Sequence, residues 1–195
     1  MRYILASKSP RRKEILLNMG LAFDIVTADT DESSDITDAR ELCEELSLRK
    51  AIAVRDHLLA IGELDPADII IASDTVVECE GEILGKPKDK EDARRMLTSL
   101  SGRAHRVFSG IALVRADESK VSHSVTAVYV DEIEKDDLER YLDTNEPYDK
   151  AGAYGIQGYA GRWIGRIDGC YFGVVGMSAN VLDKLHRELT GRPIK

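Results

Sequence analysis

The segment "DIIIASDTVVE" at 68–78 constrains the fold more than any other stretch of this chain. Ile69, Ile70 and Ile71 follow one another without the polar alternation of a half-solvated strand, and such a run suits a strand covered on both faces. A strand of that kind needs helices above and below its sheet. The flanking sequence supplies them. Residues 2–6 read as a short strand entering a helix, with Ser9 as N-cap, Pro10 first in the helix, Ile15, Leu16 and Met19 on its apolar face, and Gly20 at its end. "FDIVTADTDES" reads as a second strand running into an acidic loop, and an amphipathic helix extends from 37 or 38 to Leu59.

Beyond the Ile-rich strand the pattern changes. "VVECEGEILGKP" reads as a hairpin turning near Gly81, and Asp89 caps a helix that runs to Leu100. "HRVFSGIALVRA" and "KVSHSVTAVYVDEI" alternate as adjacent antiparallel strands. A helix over 135–142, a glycine-rich stretch ("DKAGAYGIQGYAG"), two short strands ("RWIGRIDG" and "YFGVVGM") and a helix over 179–189 complete the chain. The expected fold is α/β, a mixed twisted sheet with flanking helices on both faces. No repeat, low-complexity segment or linker interrupts it, so 1–195 is expected to be a single domain. Trp163 and Phe172 are expected in the core.

The formal net charge of −8 argues against general nucleic-acid binding, which calls for a basic surface. No apolar run reaches the roughly 18 residues of a membrane span. Cys43, Cys79 and Cys170 show no ligand or disulfide spacing and read as reduced thiols, which makes the cytoplasm the expected location. The four histidines are scattered and suit packing or hydrogen bonding better than metal ligation.

Against this acidic background, "ASKSPRRK" at 6–13 stands out. A strand turning through serines into a helix presents free backbone N–H groups and the positive dipole end to an anion. Ser7 adds a hydroxyl, and Arg11 and Arg12 add planar donors for phosphate oxygens. Basic residues there oppose the dipole, which is costly unless an anion docks. Asp74 is expected at the C-terminal end of the Ile-rich strand, where clefts of open α/β sheets lie. Asp31 and Glu32 can reach the same edge from their loop, although alone they read better as a solvated acidic loop. Two hard carboxylates near phosphates suit a divalent cation, and a carboxylate can activate water. Lys50 and Lys86 are candidate charges for a polyphosphate. Gln157, within a G-x-x-G-x-x-G run, offers the donor and acceptor that a base edge needs.

These stretches together resemble the Maf (septum-formation-associated) nucleotide pyrophosphatases. The resemblance rests on "LASKSPRRKEIL", "ASDTVV", "GKP", "SGRAHRVFSGIAL", "EPYDKAGAYGIQG" and "IDGCYFGVVGM", in that order along almost the whole chain. It implies two lobes around a cleft, as in the inosine-triphosphate pyrophosphatases, and a homodimer. The implied reaction is hydrolysis of a nucleoside triphosphate to monophosphate and pyrophosphate with a divalent cation, Mg²⁺, Mn²⁺ or Co²⁺. Asp74 is implied as general base. Glu32, with Asp31 as rival, is implied as the early acidic residue that holds the metal with Asp74. Arg11, Arg12, Lys50 and Lys86 are implied as the cations at the phosphates, beside the Ser7 hydroxyl read from the turn itself, and Thr75 and Gln157 are expected at the base. Arg11, Thr75 and Gln157 match the dTTP/UTP branch, whereas the 7-methyl-GTP branch typically carries Trp, Gln and Glu. Ser178 departs from the family pattern by replacing a proline. The competing reading is a non-catalytic, nucleotide-binding regulator of cell division.

Overall fold

A computed structural model describes all residues, 1–195. The strands are β1 (Tyr3–Leu5), β2 (Phe23–Ile25), β3 (Ile69–Cys79), β4 (Glu82–Leu84), β5 (Ala104–Arg115), β6 (Glu118–Val130) and β7 (Ile164–Asp168). The helices are α1 (Pro10–Asn18), α2 (Ala39–Ala60), α3 (Lys90–Leu100), α4 (Lys135–Leu142), α5 (Tyr171–Val175) and α6 (Ala179–Thr190). One mixed sheet carries the order β2-β1-β3-β5-β6-β7, with β4 paired to the end of β3. β2, β1 and β3 run parallel, and every other pairing is antiparallel.

The Ile run behaves as its composition requires. Ile69 and Ile71 pack with Leu5, Ile15, Leu16, Leu182 and Leu185, placing α1 and α6 on one face. Ile70 and Ala72 pack with Ala51, Val54 and Leu58 of α2 on the other. Burying each isoleucine contributes roughly 2–3 kcal/mol. A second lobe forms over the far half of the sheet, where Val77, Val107 and Val128 meet α3, α4, Tyr154 and Trp163. The helix caps follow the sequence: Asp38 accepts from the N–H groups of Arg40 and Glu41, Asp89 from that of Asp92, and Ser178 from that of Val181. Ser178 thus provides a cap in place of the family's proline.

Three expectations are corrected. "YFGVVGM" forms the short helix α5 and not a strand. Gly169 (φ 134°) turns the chain off the sheet after β7, Cys170 caps the helix, and Gly176 (φ 139°) ends it. A Cβ on Gly173 would lie 2.6 Å from Ser124 Oγ, so glycine lets the helix settle on β6. Phe172 is 43% exposed, pairing edge-on with Tyr171, because α5 turns that side outward. Asp74 lies in mid-strand and not at the C-terminal end of its strand, since β3 continues to Cys79 under cover of β5.

That last correction locates the cleft. On one edge β3 pairs with β1 only through Ile69–Ile71 and with β4 only through Val77–Cys79, while β5 runs along the other edge throughout. Residues 72–76 therefore border an opening where β1 has left the sheet. α2 lies close over this stretch because Gly110, the β5 partner of Asp74, has no side chain. A Cβ there would be 2.1 Å from the Cys43 carbonyl oxygen.

His105, buried on β5, meets the Tyr154 hydroxyl through Nε2 at 2.7 Å, while its Nδ1 has no partner. Burial pushes its imidazole from 6.5 down to about 4, against an opposing pull from the Glu78 charge. Between those values the unfolded chain takes up a proton that the folded chain refuses. Stability is therefore full above the upper value and falls as the pH drops toward the lower, by up to about 3 kcal/mol. Denaturant unfolding of wild type and His105→Gln across that window is expected to give a shallower pH dependence in the variant. Identical slopes would contradict this assignment.

Candidate active site

Arg12 ties the turn before α1 to the strand beside it. The residues 6–9 loop back between β1 and α1, and Ser7 Oγ accepts from the Ser9 N–H at 3.1 Å. Pro10 opens α1, so Arg11 and Arg12 sit in its first turn. Arg12 donates from Nε to the Gly176 carbonyl at 3.1 Å, from Nη1 to Ser7 Oγ at 3.4 Å and from Nη2 to Thr75 Oγ1 at 3.3 Å. Ser73 Oγ also lies 2.8 Å from that carbonyl. Burial pushes the Arg12 guanidinium below its ordinary value, opposed by the Asp74 charge. Arg12 thus fastens α1 to β3 and to the end of α5 while lining the cleft.

Side chains alternate along β3, so Asp74 projects to the opposite face from Thr75, toward α2. There the Lys50 ammonium lies 2.5 Å from Asp74 Oδ1 and 3.1 Å from Glu32 Oε1. Asp74 is only 8% exposed. Two carboxylates brought this near repel one another, and the lysine between them offsets that repulsion. Asp31 takes no part: its carboxylate accepts from the Ser33 N–H at 2.8 Å, closing its own turn. Arg49 holds this loop by donating to the Asp31 and Ser33 carbonyls. Of the two acidic neighbours, Glu32 reaches the cleft.

The glycine-rich segment forms three 3-10 turns that wall the cleft from the second lobe. Gly152 (φ 68°) donates its N–H to the Gly85 carbonyl at 3.1 Å, which docks the Gly85–Lys86–Pro87 turn. Gly152 also leaves room for Val77, 3.1 Å from where a Cβ would stand. Gln157 is exposed on this wall. Arg11 points across the cleft, its Nη1 lying 3.7 Å from Asp149 Oδ2. Burial raises the Asp149 carboxyl, but the Lys150 hydrogen bond and the charges of Lys150 and Arg11 outweigh it and hold the carboxyl below its ordinary value.

One cleft of about 1040 Å³ is lined by Ser7, Arg11, Arg12, Glu32, Lys50, Asp74, Thr75, Lys86 and Gln157; of the candidates singled out from the sequence, Asp31 lies outside it. Sequence reasoning passed over Glu146, Asp149 and Lys150, which line it too. The only signal for them was their place in "EPYDKAGAYGIQG". No group of three or more His, Cys, Asp or Glu side chains is arranged to enclose a metal. Glu32 and Asp74, drawn together on Lys50, are hard oxygen donors, and such a pair suits a cation that takes its remaining ligands from phosphate and water. The thiols stand apart: burial raises Cys43 to about 12. No helix is long and apolar enough to cross a membrane.

Comparison with known proteins agrees with this geometry. The family model described as Maf-like protein matches residues 2–189. The dTTP/UTP pyrophosphatase of Symbiobacterium thermophilum is 45% identical over 89% of this chain and 87% of its own. That of Caldanaerobacter subterraneus subsp. tengcongensis is 42% identical over 96% of this chain and 89% of its own. The protein of the same name from Vibrio parahaemolyticus is 41% identical over 95% of both. With the expected sheet, cleft and motif order all in place, this chain belongs to the Maf-like protein family.

Proposed function

We propose that this chain is a nucleoside triphosphate pyrophosphatase that hydrolyses dTTP and UTP, and pyrimidine analogues with the same base edge, to the monophosphate and pyrophosphate. The observation that carries the reading is the convergence of Asp74, Lys50 and Glu32 with the Ser7–Arg12 turn on one cleft. Relatives bearing that activity in their names support the choice of substrate.

In this reading the triphosphate lies with its charged oxygens toward the helix-mouth N–H groups, Ser7, Arg11, Arg12, Lys50 and Lys86. Asp74 orients a water and accepts its proton as the water oxygen bonds to the α-phosphorus. The bond from that phosphorus to the bridging oxygen breaks in line, and pyrophosphate leaves with its charge spread over the cations. Positioning and electrostatics supply most of the acceleration. Glu32 and Asp74 would hold a divalent cation, Mg²⁺, Mn²⁺ or Co²⁺, whose chemistry is to neutralise phosphate charge. When substrate binds, Lys50 exchanges carboxylate for phosphate partners. Gln157 reads the pyrimidine edge, and Thr75, tied to Arg12, helps set the boundary between base and phosphates. A single domain over 1–195, a cytoplasmic location and a homodimer complete the proposal, the location resting on the unpaired cysteines and the homodimer on the family resemblance.

Removing the base tests the chemistry. Asp74→Asn is expected to lower kcat on dTTP by about 10²–10⁴ while leaving the circular dichroism spectrum intact. Phosphate release coupled to inorganic pyrophosphatase, with Mg²⁺ supplied, reads this out. Near-normal turnover in the variant would refute Asp74 as the base, and no turnover of any nucleotide by wild type would favour the non-catalytic regulator.

Altering the reader tests selectivity. A site that pairs its polar groups with one base edge leaves them unpaired with another, which discriminates strongly. Gln157→Glu is expected to change the relative kcat/KM for dTTP, UTP and GTP more than it changes pyrophosphate inhibition. An equal loss on all three nucleotides would remove Gln157 from base recognition.

A further inference from the structure

Glu146 has no part in the chemistry above, yet it lines the cleft and each of its carboxylate oxygens accepts a hydrogen bond. The Tyr141 hydroxyl donates to Oε1 at 3.2 Å, and the Tyr159 backbone N–H donates to Oε2 at 2.9 Å. Tyr141 is buried, and burial together with the Glu146 charge raises its phenol well above 10.0, so it remains a donor. Its ring stacks on Tyr159 and meets Trp163 edge-on, with centroids 5.6 and 5.1 Å away. Tyr159 and Trp163 in turn both donate to Asp137, at 2.7 and 2.8 Å. The carboxylate therefore rests on a rigid aromatic cluster outside the cleft.

What it holds from that position is the turn carrying Gln157. Gly158 lies so close that a Cβ would be 2.0 Å from Glu146 Oε1. At the other end of the turn, a Cβ on Gly155 would be 2.9 Å from Lys150 Cε, and the Lys150 ammonium donates to the Glu146 carbonyl at 2.6 Å. Gly158 N–H donates back to the Gly155 carbonyl at 3.1 Å. Gln157 thus sits between two glycines, each pressed against a side chain that belongs to or is fastened to Glu146. Its own amide stays exposed, so its aim is set by the backbone on which it is mounted.

We infer that Glu146 is a positioning residue for base discrimination: by bridging Tyr141 and the Tyr159 N–H it fixes the 155–158 turn and so directs the Gln157 amide. This rests on the proposed reading of Gln157 as the residue that recognises the base. A recognition group displaced by about 1 Å loses much of its selectivity, whereas phosphate binding across the cleft does not depend on it. A purely structural Glu146 would affect all nucleotides alike.

The test measures kcat and KM of the full chain for dTTP, UTP and GTP in wild type, Glu146→Ala, Glu146→Gln and Gln157→Ala. Glu146→Ala is expected to lower the dTTP-to-GTP ratio of kcat/KM about tenfold, chiefly through KM for dTTP. Glu146→Gln is expected to retain most of the ratio, because its amide can accept from the Tyr159 N–H and donate to the Tyr141 oxygen. An unchanged ratio in Glu146→Ala, a uniform loss on all nucleotides, or no retention in Glu146→Gln overturns the inference. If Gln157→Ala still lowers the ratio in that case, the reading of Gln157 survives; if it does not, both fall. Should Glu146→Ala fail to fold, Tyr141→Phe, which removes one donor, is expected to lower the same ratio about threefold, and an unchanged ratio there overturns the inference equally.

Discussion

The Lys50 ammonium, shared between Asp74 and Glu32, is the interaction on which the candidate site depends. It joins three separate pieces of chain: the long helix α2, the central strand β3 and the acidic loop after β2. Without a cation between them, two carboxylates drawn to one point would repel one another. The pairing exists only because α2 lies close on the sheet, and α2 lies close only because Gly110 has no side chain where the Cys43 carbonyl passes. A glycine on β5 thereby governs the position of the central charge in the cleft.

The opening itself comes from a mismatch of strand lengths. β1 stops after Leu5, whereas β3 runs on to Cys79, so mid-strand residues of β3 border a gap. Alternation along β3 then divides the work between the two faces. Asp74 joins Lys50 and Glu32 on one side, and Thr75 joins Arg12 and the Gly176 carbonyl on the other. The second lobe closes the cleft through backbone bonds, with Gly152 N–H on the Gly85 carbonyl, and through the Arg11–Asp149 pair. Charges in an overall acidic chain are thereby gathered into a local basic wall facing an acidic pocket.

Much of this was legible in the sequence because it follows from local rules. The Ile69–Ile71 run demanded cover on both faces, Asp38 and Asp89 marked helix starts, and the serines before α1 with the arginines of its first turn pointed to the cleft wall they form. Other features follow from tertiary packing alone. "YFGVVGM" is too short for its apolar pattern to distinguish strand from helix, and the deciding facts are the Gly169 turn and the contact of Gly173 with Ser124. Asp74 looked like a strand terminus because polar residues follow an apolar run; β5 keeps the strand going by pairing along its whole length. The choice between Asp31 and Glu32 turned on which carboxylate its own loop consumes. Glu146 gave no sign beyond its motif, since its partners are a buried hydroxyl and a backbone N–H thirteen residues further along the chain.

The most direct test is a crystal structure with the non-hydrolysable α,β-imido analogue of dUTP and Mg²⁺. The expected result places a phosphate oxygen on Lys50, the α-phosphate facing Asp74, and the outer phosphates on the Ser7–Arg12 turn. A nucleotide whose phosphates lie outside this cleft, or whose α-phosphate faces away from Asp74 with Lys50 still bound to both carboxylates, would contradict it.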